Sequence, residues 1–367
     1  MLWLMRWFGV TRTDAERLLD TEAAYAEEIE RYVLRLQADT AVRQHRLPCR
    51  GTHANGVCVC AEFHVPDLKG GHEPAIGTRL ARGVFATPGV YAATVRFANS
   101  DPNLNPDSKP DIRSLSFSVD LTSGGTDRPP SAVACQDFSM QSAPTLPLND
   151  ARVFLATMKV ITASKPLKAL LSLPLGDQLR VMRALGLAQV QARQPLKPYQ
   201  QLRYWSTVPF RHGPADVVKQ CATPRTDNPA HALRRGEPDC LQRELLRHLD
   251  EDRSMSRFDI GLQFMDTGRM TYHGMRHDAG FWIENASVAW KEAEAPFHVV
   301  AQLRLLPRSQ LSPEAREATY FDVTRNALAE SEPVGSINRM RWRSEAASRQ
   351  ARTGTGVAPA EQACGRP

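Results

Sequence analysis

The sequence predicts an α+β fold: one antiparallel β-barrel, a helix ahead of it and a helical block inserted between its strands. Three features of the chain point there. Val57, Val59, Ala61, Phe63 and Val65 recur at every second position, the period of a half-buried strand. Short β-rich pieces broken by glycine and proline then continue to about residue 140. Strand patterns return near residues 258 and 297, after a helical middle, so both ends of the chain contribute to a single barrel instead of two separate domains.

Taken in order, the chain opens with the apolar run Met1-Leu2-Trp3-Leu4-Met5-Arg6-Trp7-Phe8. This is shorter than the ~20 residues that span a bilayer and lacks the parts of a secretory signal. It suits packing on the domain surface, on a partner subunit, or loosely on a membrane. After Thr13-Asp14, a helix start, the positions Leu18, Thr21, Tyr25, Ile29, Val33 and Leu36 give one face of an amphipathic helix that ends before the basic stretch Arg43 to Arg46. Pro48 then leads into Arg50-Gly51-Thr52-His53-Ala54-Asn55-Gly56 and the first strand. Further strands are expected over Tyr91 to Phe97, Ile112 to Leu121 and Ala132 to Met140, with a polar, proline-punctuated loop from Ser100 to Asp111.

The middle is helical: Asp150 to Ala163, then Leu167 to Leu187 interrupted by Pro174. Tyr199 to Val218 is aromatic and irregular, Cys221 to Pro238 reads as loop, and Leu241 to Leu249 as a short charged helix. Strands are expected again over Phe258 to Phe264, Ala286 to Trp290 and Phe297 to Leu306. The domain boundaries follow: a helical arm over 1–46, one barrel domain over 47–352, and a small, polar, disordered tail over 353–367.

Composition limits the function. A chain of 367 residues needs no repeats or disulfides to build a core. Its net charge of +6 is spread along the sequence, which disfavours nucleic acid as a partner. The seven cysteines have no spacing that forms two paired ligand sets. They are read as reduced, and the protein as cytoplasmic. His273 and His277 have the spacing of a helical metal pair but sit among glycines, with no glutamate after His273. No nucleophile elbow or phosphate loop is present. His53, where the chain enters the first strand, is either a hydrogen-bonded structural residue or a proton carrier, since an imidazole titrates near pH ~6.5.

These residues resemble the haem catalase family. Arg50-Gly51-Thr52-His53-Ala54-Asn55-Gly56 is similar to its distal motif. Thr94-Val95-Arg96-Phe97 and Asp111-Ile112-Arg113 with Leu115 and Phe117 resemble its next two strands. Gln136-Asp137-Phe138 and Ala143-Pro144 fall at the third strand and distal turn, with Phe154 at a phenylalanine position beyond them. Tyr204-Trp205-Ser206, Gln263, Trp290, Pro296-Phe297 and Pro333-Val334-Gly335-Ser336-Ile337-Asn338-Arg339 are similar to the short, single-core branch of the family. The resemblance covers residues 47 to 352 and implies a catalase-like barrel, haem b as cofactor, a hydroperoxide as substrate, no stable membrane insertion and a homo-oligomer. By the same carry-over, His53 is the acid/base, Arg50 and Arg96 face the haem propionates, and Arg341, Arg352 and Phe154 belong to the cofactor site.

The chain departs from that pattern in telling places. The small polar residue expected beside the distal histidine is Ala98, and the distal-turn asparagine is Gln141, which keeps an amide for orienting peroxide. Leu146 and Pro147 stand where aromatic residues narrow the pocket, implying a wider one. At the proximal position, four residues after Arg341, the family's tyrosine is replaced by Glu345, with Arg352 seven residues further on. A glutamate oxygen reaches roughly 1.5 Å less far than a tyrosine oxygen. Glu345 is therefore either an iron ligand or a helix ion-pair partner of Arg341. Thr52 before His53 resembles the Thr-His pair of catalase-fold allene oxide synthases, which implies fatty-acid hydroperoxides as an alternative substrate. A haem-free or non-catalytic protein of this fold is the remaining alternative.

Overall fold

The structure, a computed structural model, describes residues 20–45, 50, 52–53, 55–71, 73–124, 133–228 and 231–353. The apolar start, Thr13-Asp14, Pro48 and residues 354–367 of the expected tail lie outside these. The strands are β1 (Gly56–Val65), β2 (Gly89–Asn99), β3 (Arg113–Asp120), β4 (Cys135–Gln141), β5 (Tyr204–Trp205), β6 (Phe210–His212), β7 (Asp216–Pro224), β8 (Ser256–Phe264), the small hairpin β9 (Thr271–Tyr272) and β10 (Met275–Arg276), and β11 (Phe297–Gln310). One antiparallel sheet runs β5-β4-β3-β2-β1-β11-β8-β7-β6, and β5 also pairs with β7, which closes the barrel. The early strands and the late ones meet where β1 pairs with β11, so the barrel is closed from both ends of the chain.

Period-two alternation fills the interior. On β1, Val57, Val59, Ala61, Phe63 and Val65 are all buried. The Phe63 ring lies 6.1, 6.0 and 6.0 Å from those of Phe85, Phe117 and Phe138, and the last two stack at 4.4 Å. β3 reads Arg-Ser-Leu-Ser-Phe-Ser-Val-Asp, with Leu115, Phe117 and Val119 inward and serines on the other face.

The helices are α1 (Asp20–Gln44), α2 (Pro74–Leu80), α3 (Ala151–Ile161), α4 (Pro166–Leu171), α5 (Leu175–Ala192), α6 (Cys240–Leu246), α7 (Ala279–Glu284), α8 (Pro313–Ala318) and α9 (Ser336–Thr353). The Asp150 carboxylate caps α3 by accepting from the Val153 N–H at 3.0 Å. α1 lies against α9, tied by Arg339, which reaches Glu22 at 2.7 Å and Glu284 at 3.0 Å, and by paired hydrogen bonds between Gln37 and Ser348.

Several expectations are corrected. α1 runs to Gln44 and so includes Arg43. α9 continues to Thr353, taking in the first residue expected in the tail. The segment read as loop from Cys221 begins inside β7, whose polar Lys219 disguised it; that ammonium is buried and satisfied by the Val288 carbonyl at 3.2 Å and the Trp290 ring at 5.0 Å. Ala286 to Trp290 is not a strand: the Ala286 N–H donates to Asn149 and the Val288 N–H to Asn285, while Val288 and Trp290 pack with Trp282. α2 and α7 were not anticipated. Cys60 is disulfide-bonded, so the thiols are not all reduced; Cys58, Cys135, Cys221 and Cys240 are free. No helix among the described residues is long and apolar enough to cross a membrane.

Candidate functional site

Outside the barrel, between its β2–β4 face and helices α1, α3 and α9, lies a cavity of about 410 Å³. The floor is built by strand register. Arg96 pairs with Ser116, and Ser116 with Ser139, so their side chains form one row on the outer face. Cys58 continues the row on β1. The wall is one stripe of α9, in which Ile337, Arg341, Ser344, Glu345, Ser348 and Arg352 recur at helical spacing. Val33 of α1 and Phe154 of α3 add apolar surface.

His53 enters at the start of β1. Its backbone is in the left-handed region, φ 58°. It is pinned on both sides: its N–H donates to the Ser100 carbonyl at 3.3 Å, and its carbonyl accepts from the Arg96 guanidinium at 2.6 Å. Gly56 makes that grip possible, since a Cβ there would lie 2.5 Å from the Phe97 carbonyl and 2.8 Å from the Arg96 guanidinium. The Thr52 hydroxyl sits 2.9 Å from His53 Nδ1. With Ala98 unable to do so, Thr52 supplies the oxygen beside the imidazole. Burial, then Arg96, Arg341 and Arg50, push the His53 pKa down to about 3, so the ring is neutral at ordinary pH.

The arginines converge. Arg50 donates to the Arg316 and Thr319 carbonyls, both at 2.8 Å, and Arg352 donates to the Glu317 carbonyl, so both hold the C-terminal end of α8. Burial drives the Arg50, Arg96 and Arg352 pKa values down; repulsion by Arg96 and Arg352 adds to the shift of Arg50, and repulsion by Arg96 and Arg349 to that of Arg352. Arg349 stacks on Tyr320 at 4.4 Å and pairs with Asp322 at 3.2 Å.

Glu345 faces the same space. Its Oε1 accepts from Arg341 Nε at 2.7 Å. Burial raises its pKa against the pull of Arg341. Its Oε2 is buried without a hydrogen-bond partner, and so is Arg96 Nε; among the described residues of the cavity wall these are the two such atoms. Gln141 lines the cavity too, with its amide nitrogen donating to the Thr145 carbonyl at 3.1 Å.

All nine candidate residues therefore line one cavity: Arg50, Thr52, His53, Arg96, Gln141, Phe154, Arg341, Glu345 and Arg352. Leu146 does as well. Sequence reasoning missed Ser116, Ser139, Thr207, Tyr320 and Arg349. The alternating serines of β3 were a visible sign of a polar outer face, and Arg349 lies on the α9 stripe that Arg341 and Glu345 define. His273 and His277 lie elsewhere, in and beside the β9–β10 hairpin, where His277 stacks on Phe281 at 4.0 Å. No group of acidic, histidine or cysteine side chains suited to a metal occurs among the described residues.

No family model matches the sequence, and neither does any curated protein. Solved structures do. A fungal catalase matches with a TM-score of 0.62 and 14% identity over 86% of this chain. Catalase A from Saccharomyces cerevisiae gives 0.60 at 14%, and a bacterial catalase 0.56 at 15%, each over 86% of this chain. The chain spans about three fifths of their lengths, 61%, 63% and 59%. At such identity the likeness concerns the fold. The chain has a catalase-like α+β fold, an antiparallel barrel with helices packed outside it.

Proposed function

We propose that the cavity binds haem b and that the protein acts on hydrogen peroxide or an organic hydroperoxide, with an activity altered by Glu345. The observation that carries this reading is the convergence of nine residues matching the family's site positions, from both ends of the chain, on one cavity in a catalase-like fold. The residues present suit such a group. Four guanidiniums, those of Arg50, Arg96, Arg341 and Arg352, crowd one space with depressed or paired charges, and the carboxylates of haem would relieve their repulsion. Arg96 Nε lacks an acceptor, and Glu345 Oε2 offers an unpartnered oxygen at the position of the family's iron ligand. Phe154, Val33 and Ile337 supply apolar walls for the rest of the ring.

Bound haem would supply the redox-active iron at which a hydroperoxide O–O bond is cleaved. The chain supplies the proton handling. His53 is neutral, and with Nδ1 held by the Thr52 hydroxyl, Nε2 is left to take the hydroperoxide proton and return it to the leaving oxygen. Gln141 has committed one amide hydrogen to Thr145 and keeps the other for the bound oxygen. Of the pair expected to widen the pocket, Leu146 lines it and Pro147 does not, Leu148 standing there instead; these aliphatic side chains suit an organic hydroperoxide.

A second reading, a haem-free protein of this fold, is favoured by one contact: the Arg341–Glu345 ion pair that occupies the proximal position. Turnover of both hydroperoxides by haem-loaded wild type and His53→Gln separates the two. The proposal expects turnover that falls at least a hundredfold in His53→Gln, the scale of a lost general acid/base, about 10²–10⁴. Equal rates in both proteins would remove His53 from the mechanism.

A further inference from the structure

Among the described residues, seven of the large exposed apolar side chains fall between residues 161 and 190, on three consecutive helices. Leu167 and Leu171 on α4 and Leu175, Leu179, Met182 and Val190 on α5 are each between 57% and 71% exposed. Their spacing is not scattered. On α5 they fall at i, i+4, i+7 and i+15, one continuous stripe, while Val181 and Ala184 on the opposite side are buried, the former against Ala156 and Val160 of α3. Pro174 turns the chain between the two helices, and both present their leucines to solvent. Ile161, at the end of α3, is 50% exposed and extends the same run. A patch of this kind on a soluble domain marks a contact surface.

The charge around it says what covers it. From residue 165 to residue 193 the chain carries Lys165, Lys168, Arg180, Arg183 and Arg193 against a single acid, Asp177; Lys159 just before them is paired with Glu28 of α1 at 2.9 Å. That acid is buried and neutralised by Arg152 and Arg180. Lys165, Lys168 and Arg193 are exposed beside the leucines. Apolar side chains flanked by exposed lysine and arginine, with no free acid among them, match the boundary between lipid headgroups and acyl chains of an anionic bilayer.

We propose that the α4–α5 face seats the protein on an anionic lipid surface. The face is also tied to the cavity. Gln191 near the end of α5 donates to the Thr145 carbonyl at 3.0 Å, the same oxygen that Gln141 reaches at 3.1 Å, and α5 packs on α3, which carries Phe154. Docking would thus bring a cavity wall next to a source of amphipathic molecules. The binding itself does not depend on what the cavity holds.

Flotation of the full chain with vesicles tests this. Vesicles of phosphatidylcholine containing roughly a quarter phosphatidylglycerol should carry the protein, and pure phosphatidylcholine should carry at least tenfold less. Binding should weaken in about 0.5 M salt. Two variants define the face: Leu171→Gln/Leu175→Gln/Leu179→Gln, which removes apolar contacts, and Lys165→Glu/Lys168→Glu, which reverses charge. Each alters exposed residues, so circular dichroism and melting should stay as in the wild type, and each should lose at least tenfold in binding to the anionic vesicles. Wild-type binding by both variants would assign the lipid contact elsewhere, for example to the apolar start of the chain, and overturn the proposal. Absence of wild-type binding, with a dimer that becomes a monomer in the leucine variant, would show instead that a second copy covers this face.

Discussion

Gly56→Ala tests how the barrel presents His53. A Cβ at residue 56 would lie 2.5 Å from the Phe97 carbonyl oxygen, 2.8 Å from the Arg96 guanidinium and 2.9 Å from the Ala98 Cβ. All three belong to the neighbouring strand, where β1 and β2 are paired residue by residue from Gly56–Ala98 onward, and the first and last are a backbone oxygen and a Cβ. The strands must separate locally, because neither contact is the loose end of a flexible side chain. Overpacking of this kind costs about 1–3 kcal/mol. Arg96 has no room to yield either: its guanidinium is buried and holds the His53 carbonyl at 2.6 Å. The variant should therefore lose about 1–3 kcal/mol in urea unfolding, and the His53 amide proton should exchange faster with solvent than in the wild type. Wild-type stability together with unchanged exchange at residue 53 would refute the reasoning.

Other consequences follow from named contacts. Phe63→Ala removes the ring about which Phe85, Phe117 and Phe138 gather, and should cost about 3–5 kcal/mol in chemical unfolding. Arg339→Ala leaves Glu22 and Glu284 without their shared partner and loosens α1 from α9; because Glu284 is partly exposed, about 2–3 kcal/mol is expected, with earlier proteolysis of α1. The His53 pKa, lowered from 6.5 to about 3, makes the folded chain refuse a proton that the unfolded chain takes, so this group's contribution to stability is lost as pH falls from 6.5 toward 3. Asp137, raised to about 6 by burial, acts in the opposite sense, losing its contribution as pH rises through that value. The readout is therefore the difference between wild type and His53→Gln, which should shrink on acidification from pH 6.5.

Much of the barrel was legible because period-two patterning is strict where one face packs and the other does not. β1, β2 and β3 were found near their observed positions for that reason. β7 was hidden by Lys219, whose burial is tolerated only because Val288 and Trp290 meet it from a distant loop. Ala286 to Trp290 misled in the opposite way: its apolar side chains are buried, but its backbone bonds to turns and to Asn149. In the site, His53 and Arg50 stood out from a local motif. Tyr320 did not, since nothing adjacent in the chain shows that the residues after α8 fold back onto α9, whereas Arg349 continues the helical spacing of Arg341 and Glu345. Of the two readings of Glu345, the structure shows the ion pair with Arg341; its second oxygen is buried without a hydrogen-bond partner, which nothing in the sequence foretells.

The visible absorption spectrum of the full chain with added haem, compared among wild type, Glu345→Ala and Glu345→Tyr, bears most directly on the cavity's role. The account predicts a Soret band at one haem per chain in the wild type, with a band position that moves in both variants, as expected of a proposed carboxylate ligand at residue 345. Stoichiometric haem appearing only in Glu345→Tyr would contradict it and identify the natural protein as a haem-free member of this fold.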